Sequence, residues 1–361
     1  MKICFLADGN HTNCQSWLNH LASELGHEVH LISLESVEHM SGKVQVHILD
    51  GASRFGKLKY LMCVSKVKKL IKSIRPDVLI GYRVSSYGFL AARAGFHPLV
   101  IVAQGYNIDN PEKSLIKNLF IKYAIRCSDL CHAWGNHMGE RFIELGADPS
   151  RVKVFPRGIN TDLFKFKRYP QGTFSVIMTR GLKSGYDLEL PFKAVAELIR
   201  RNIQVRFLVA GDGSFKSLLE TLANELGISE YVNFLGHVIN SDLPDLLSSA
   251  NAYVSPVPTD GVSASLLEAM ACGLIPVVID NPANRLWIKD GENGFLVKAG
   301  DYPGIADALE QIAENRVPVD MIRQFNRELV VKKGSLKENM IRMERDLLSL
   351  INSVDGHKSI Q

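Results

Sequence analysis

The sequence predicts an α/β protein of two doubly wound parallel-sheet domains. Two observations carry this reading. Short β-rich runs, apolar on nearly every residue, alternate with helical stretches, and such runs belong to parallel sheets covered on both faces. The alternation halts at the charged stretch Phe164-Lys165-Phe166-Lys167-Arg168-Tyr169-Pro170-Gln171-Gly172 and then restarts. A chain of 361 residues also exceeds one ordinary core. Two domains of about 150 to 200 residues fit better.

In the first half the expected strands are Lys2–Ala7, Val29–Ser33, Val44–Ile48, Asp77–Gly81, Leu99–Gln104, Leu130–Ala133 and Val152–Phe155. Helices fit between them, notably Gln15–Leu25 and Lys113–Arg126. In the second half the strands are Ser175–Thr179, Val205–Ala210, Val232–Leu235, Ala252–Ser255, Ile275–Ile279 and Phe295–Lys298. Helices Pro191–Arg201, Phe215–Leu226, Asp242–Ser249, Ser263–Cys272 and Tyr302–Asn315 intervene. The expected domains are residues 1–165 and 172–335, with a tail helix near 336–361 folding back on the first. A ligand cleft between the domains follows, because such sheets bind ligands at strand C-terminal ends.

Composition excludes several classes. The chain is 46% hydrophobic and 22% charged, ordinary for a globular protein. No run nears the roughly 18 to 20 apolar residues of a membrane span. The apolar part of Met1 to Gly9 is too short for a signal peptide and reads as a first strand. Cysteines 4, 14, 63, 127, 131 and 272 have no paired metal spacing, so reduced thiols in a cytoplasmic protein are expected. No metal cluster, nucleophile elbow or G-x-G-x-x-G fingerprint is present, which argues against a dinucleotide-dependent dehydrogenase.

Net charge is +4, unevenly spread: residues 1–165 hold 21 Lys and Arg against 14 Asp and Glu. Much of the excess lies between Arg54 and Arg75, at Lys57, Lys59, Lys66, Lys68, Lys69 and Lys72, among apolar residues at helical spacing. Such a helix suits either an anionic membrane surface or packing on the sheet with a solvated lysine face. Interleaved aromatics for nucleic acid are missing.

The most informative stretch is DGVSASLLEAMACGLIP, residues 260–276. Asp260 precedes a run of good helix formers, and Glu268 lies within its first turns. Between them Gly261, Val262, Ser263, Ala264, Ser265 and Leu266 present backbone N–H groups at a helix N-terminus, where phosphate is favoured. Two carboxylates around an anion site suit a nucleotide-sugar, although Asp260 also suits a plain helix cap and Glu268 an exposed helix face. Arg180 ends a strand and offers a bidentate phosphate contact, with Lys183 nearby. Gly9, Gly211 and the pair His237–Val238 follow strands as turns able to line a nucleotide, or as plain turns. Gln104, before Gly105-Tyr106-Asn107, suits a sugar hydroxyl or a buried polar site.

Together these pieces resemble the family 4 (group 1) retaining glycosyltransferases. The block 260–276 is similar to their E-x7-E motif with Asp260 in the first acidic place. Asn284–Val297, Val154–Phe164, the Gly26-His27-Glu28-Val29 turn and Gly211-Asp212-Gly213 also fit. The resemblance implies the two-domain Rossmann-like architecture called GT-B and a hexose or N-acetylhexosamine transfer from a UDP- or GDP-sugar. It implies no metal and no cofactor, and a glycan or lipid-linked acceptor of the cell-surface polysaccharide or lipopolysaccharide type. It assigns the donor ribose to Glu268, the donor sugar to Asp260 and the diphosphate to Arg180. Three positions depart from the pattern: Asp260 itself, Gly185 where a lysine is usual, and Gln104 where a histidine is frequent. A non-catalytic partner subunit and a non-hydrolysing UDP-sugar epimerase are the competing readings.

Overall fold

The computed structural model describes residues 1–38, 40–49, 59–105, 108, 115–167 and 169–358. Arg54, Lys57, Tyr106, Asn107, Lys113 and Arg168, named above, lie outside the described residues. The chain forms two compact units, Met1–Arg157 with Lys337–Gln361, and Gly158–Leu336.

The first unit opens β1 (Lys2–Leu6), α1 (Thr12–Ser23), β2 (Glu28–Ser33), β3 (Val44–Ile48), α2 (Lys59–Met62) and α3 (Val64–Ile74). It continues β4 (Val78–Tyr82), α4 (Phe89–Ala94), β5 (Leu99–Ala103), α5 (Leu115–Arg126), β6 (Leu130–Ala133), α6 (Asn136–Glu144) and β7 (Val152–Val154). All pairings are parallel, in the order β3-β2-β1-β4-β5-β6-β7. Ile3 through Leu6 and Val78 through Ile80 are fully buried, the reason these strands carry no alternation.

The second unit runs β8 (Phe174–Thr179), α7 (Glu189–Arg200), β9 (Val205–Ala210), α8 (Lys216–Glu225), β10 (Val232–Gly236), α9 (Leu243–Ser248) and β11 (Ala252–Ser255). After these come α10 (Ala264–Ala271), β12 (Ile275–Ile279), β13 (Phe295–Val297), α11 (Tyr302–Ala313) and α12 (Val319–Lys333). Its parallel order, β10-β9-β8-β11-β12-β13, repeats the first unit's pattern. Val176 and Met178 face one core layer with Phe192, Phe207 and Leu309, while Ile177 faces the other with Tyr253, Leu266 and Met270.

The stretch from Gly158 onward, including the residues from Phe164 that read as a linker, is part of the second unit. Ile159 N donates to Gly334 O and Leu336 N donates to Ile159 O, both at 2.8 Å. Arg323 donates to Lys167 O at 2.7 Å, and its guanidinium covers the rings of Phe166 and Tyr169 at 4.5 and 4.6 Å. Arg327 donates to the Phe164 carbonyl, and Phe164 is buried. The last helix, α13 (Leu336–Lys358), returns to the first unit. There Glu344 pairs with His27 at 2.7 Å and Arg342 covers Phe155. No helix among the described residues is long and apolar enough to cross a membrane.

Candidate functional site

Strand order decides where a site forms. In the second unit it reverses between β8 and β11, so the loops leaving those strands diverge and open a crevice at their C-terminal ends. Arg180 leaves β8 and Asp260 lies in the loop after β11. Arg180 Nη1 donates to Asp260 Oδ2 at 2.8 Å, while Asp260 Oδ1 accepts from Gly261 N at 2.8 Å. Burial alone would depress the arginine; the Asp260 carboxylate overrides it and the net shift is upward, so Arg180 stays a cation. Tyr186 supports the guanidinium from below, ring centroid to Cζ 4.7 Å.

A cavity of about 300 Å³ lies at these strand ends, lined by Arg180, Gly211, His237, Val238 and Ser265 among others. Sequence reasoning named all five. Thr179 and Leu243 also line it and were not among the expected site residues, while Asp212 belongs to the Gly211-Asp212-Gly213 turn read from the sequence. Gly211 is there for a packing reason: a Cβ on it would lie 1.9 Å from the Arg180 carbonyl oxygen. Gly213 repeats this under Leu182, at 2.3 Å from its carbonyl oxygen. The glycines thus let the β9 loop lie flat against the β8 loop that holds Arg180.

The helix of the 260–276 block is α10, and its cap is Ser263, whose Oγ accepts from Leu266 N at 3.3 Å. Asp260 therefore serves Arg180 and Gly261 rather than the helix end. Ser265 turns to the cavity, whereas the Leu266 side chain is buried in the core. Ala264 and Val262 are half-buried beside it, and Glu268 stands half-buried in the second turn with a partner of its own. Lys183 is exposed. No group of three or more metal-binding side chains occurs among the described residues.

Gly9 and Gln104 belong to the first unit, at the ends of β1 and β5. Val37 sits over Gly9, its Cγ2 2.6 Å from where a Cβ would be. Both Gln104 amide atoms are buried with no hydrogen-bond partner among the described residues. Tyr186 and Tyr253 are neighbours of Arg180 that sequence reasoning did not name. Tyr253 is fully buried, and burial raises its hydroxyl pKa against the opposing pull of nearby Arg180. Neither stands in a recognisable spacing to Arg180.

A parallel sheet whose switch point joins a held arginine, two backbone-tight glycines and a helix N-terminus defines a doubly wound phosphate-type domain. Two family descriptions match: Glycosyl transferases group 1 over residues 160–328 and Glycosyl transferase 4-like over residues 2–132. The chain belongs to the group 1 glycosyltransferases, with the two-domain GT-B fold.

EpsD of Bacillus subtilis is 36% identical over 172 residues, 44% of this chain and 45% of that one. The UDP-Gal:alpha-D-GlcNAc-diphosphoundecaprenol alpha-1,3-galactosyltransferase of Escherichia coli is 22% identical over 329 residues, 84% of each chain. The chain thus spans less than half of EpsD. Among solved structures, HepE of Anabaena in complex with UDP superposes with TM-score 0.79 at 18% identity, over 97% of this chain and 100% of that one. Sucrose-phosphate synthase of Thermosynechococcus elongatus gives 0.83 at 16% identity, over 98% and 100%. At these identities the likeness is one of fold.

Proposed function

We propose that this protein transfers a hexose or N-acetylhexosamine from a UDP- or GDP-sugar to a glycan or lipid-linked acceptor, retaining anomeric configuration and without a metal. The observation that carries this is Arg180, fixed by Asp260 and Tyr186 at the switch point beside the first turn of α10. HepE has been solved with UDP-glucose as well as UDP, and the Escherichia coli relative is named for a UDP-sugar donor and a diphosphoundecaprenol-linked acceptor. A lipid-linked acceptor puts the reaction at the inner face of the cell membrane.

In this mechanism the acceptor hydroxyl attacks the anomeric carbon, the bond to the diphosphate breaks, and the departing phosphate oxygen takes the proton. Negative charge grows on the diphosphate. Arg180 and the α10 amides meet that charge from fixed positions, which lowers the barrier more than it favours the ground state. Glu268 holds the ribose, and Asp260 orients Arg180 while facing the donor sugar. The Gln104 amide, whose atoms have no partner among the described residues, is suited to a sugar hydroxyl.

A donor screen tests the reading. The protein is incubated with UDP-glucose, UDP-galactose, UDP-GlcNAc and GDP-mannose, with and without EDTA. Turnover or slow hydrolysis of one donor, indifferent to EDTA and lost in Glu268→Ala, supports it. Interconversion of UDP-sugars would make the protein an epimerase. Tight binding without turnover on any acceptor would make it a non-catalytic subunit, a reading motivated by Gly185 and Gln104.

A further inference from the structure

Resting on the transferase reading above, we propose that the acceptor carries a phosphate group and that Arg83 of the first unit receives it. Strand order in the first unit also reverses, between β1 and β4, so the loops leaving these strands diverge and open a crevice at their C-terminal ends. Leu6 pairs with Gly81, so the loop from Ala7 and the loop from Arg83 leave the sheet side by side. Arg83 has a left-handed backbone, φ 79°, which is costly for any residue with a side chain. Its carbonyl takes Gly88 N at 2.9 Å and its own N–H donates to Val102 O at 3.2 Å, so the surrounding chain holds it there. Strain of this kind persists where a side chain has to be placed. The Arg83 guanidinium is half-buried and makes no ion pair or side-chain hydrogen bond among the described residues. Arg180 in the second unit, by contrast, has Asp260.

The charge of Arg83 reaches the start of α1. Burial lowers the His11 pKa, Arg83 and Arg157 lower it further, and Asp8 opposes them. Tyr82 is fully buried, and its hydroxyl has no hydrogen-bond partner among the described residues. Burial raises that hydroxyl's pKa, with Cys14 adding to the rise and both arginines opposing it. Helix α1 opens with no side-chain cap and no acidic residue in its first turn, so its free amides add to the positive side. Among the described residues Asp8 is the acid these groups feel, and its Oδ1 takes Asn10 N at 3.1 Å. Asp109 and Glu112 lie outside the described residues. Two arginines against one carboxylate in a crevice favour an anion. Gln104 narrows its chemistry. Tyr82 pairs with Val102, so Arg83 and Gln104 leave neighbouring strands, which lie about 5 Å apart. A sugar hydroxyl at the Gln104 amide and a phosphate at the Arg83 fork suit that separation. A glycosyl phosphate or diphosphate, free or lipid-borne, has both groups; a neutral glycan has only the first.

Calorimetric titration of the full chain, with the donor site filled by UDP, tests the assignment. The probes are N-acetylglucosamine 1-phosphate and farnesyl diphosphate, with N-acetylglucosamine and farnesol as their neutral controls. The wild type binds a phosphorylated probe about tenfold or more tightly than its control, the margin of a charge-assisted contact. A margin for the farnesyl compound makes the phosphate lipid-borne, and one for the sugar phosphate alone makes it soluble. Arg83→Gln removes the margin, and Arg83→Lys restores part of it. Arg83→Gly, which suits the left-handed backbone, removes it as well without lowering the melting temperature, so a lost contact is told apart from a folding defect. Arg180→Ala keeps the margin. Equal affinity for phosphorylated and neutral probes, a margin that survives in Arg83→Gln and Arg83→Gly, or one lost in Arg180→Ala would overturn the proposal. Absence of UDP binding and of donor turnover in the wild type would instead strike the transferase reading itself.

Discussion

Arg180 and Asp260, eighty positions apart, form one charge-paired unit: the guanidinium donates to the carboxylate at 2.8 Å across the β8–β11 switch point. Asp260 also takes the amide of Gly261. The shortened first acid of the motif is thus the group that fixes where Arg180 points. In the proposed reaction a diphosphate at Arg180 would share that guanidinium with Asp260.

Coupling between the two residues is measurable. Arg180→Ala is expected to lower kcat/KM for the donor by about 10²–10³, the usual loss of one charge-stabilising donor. Asp260→Asn is expected to lower it by about tenfold, because the arginine loses its anchor. The double variant should be no worse than Arg180→Ala alone, since a removed arginine needs no positioning. Strictly additive losses would show that the two act independently.

Gly211 offers a steric test of the same loop. A methyl group there meets the Arg180 carbonyl oxygen at 1.9 Å, so the β8 or β9 loop has to shift. Gly211→Ala should cost about 1–3 kcal/mol of stability and raise the donor KM. Gly42→Ala, where nothing lies within 4 Å, should leave both alone. Donor titrations and urea melts on the two variants decide it.

A buried amide pair holds the segment 284–297 in place. Asn293 Nδ2 donates to Asn326 Oδ1 at 2.7 Å and to Trp287 O at 2.9 Å, while Asn326 Nδ2 donates to Asn293 O at 2.8 Å. Both residues are buried, Asn326 completely. Asn326→Ala should therefore cost about 1–3 kcal/mol, the penalty for leaving buried polar groups short of partners. Equilibrium denaturation at pH 7 reads this, and a cost under about 0.5 kcal/mol would mean the pair is dispensable.

His132 gives the first unit a built-in acid sensitivity. It is fully buried, stacked on Trp17 with centroids 5.4 Å apart, and its Nε2 donates to Phe155 O at 2.9 Å. Burial lowers its pKa from 6.5 to about 3 despite that hydrogen bond. Below pH 6.5 the unfolded chain takes up a proton here that the folded chain refuses. Stability from this group is full above pH 6.5 and is lost as pH falls towards 3. Each pH step of one in that window removes about 1.4 kcal/mol. His132→Phe should therefore flatten the acid loss of stability by a few kcal/mol in total. Parallel pH dependences of wild type and variant would rule this out.

Much of the fold was legible. Strands apolar on every residue read as doubly covered, and they are: Ile275 through Ile279 are all buried. Helix α12 was not legible, and the reason is physical. Its buried residues include Arg323 and Asn326, whose side chains donate to the carbonyls of Gly273, Lys167 and Asn293. A helix that buries its polar groups has no apolar stripe to read. The segment 164–172 looked like a linker for the complementary reason: its charges are visible in sequence, while the arginines that fasten its carbonyls come from more than 150 positions away.

Local sequence dictated the class of sheet, the strands, the donor-side loops and the helix formers of the 260–276 block, because these follow from residues within one turn or one strand of each other. Tertiary packing alone set what Asp260 touches, that Tyr186 lies under Arg180, that Ser263 rather than Asp260 caps α10, and that α3 and α5 both pack on α4. Those relations depend on which strands lie side by side. Strand order is set by burying both faces of each sheet at once, a condition that no local stretch of sequence contains.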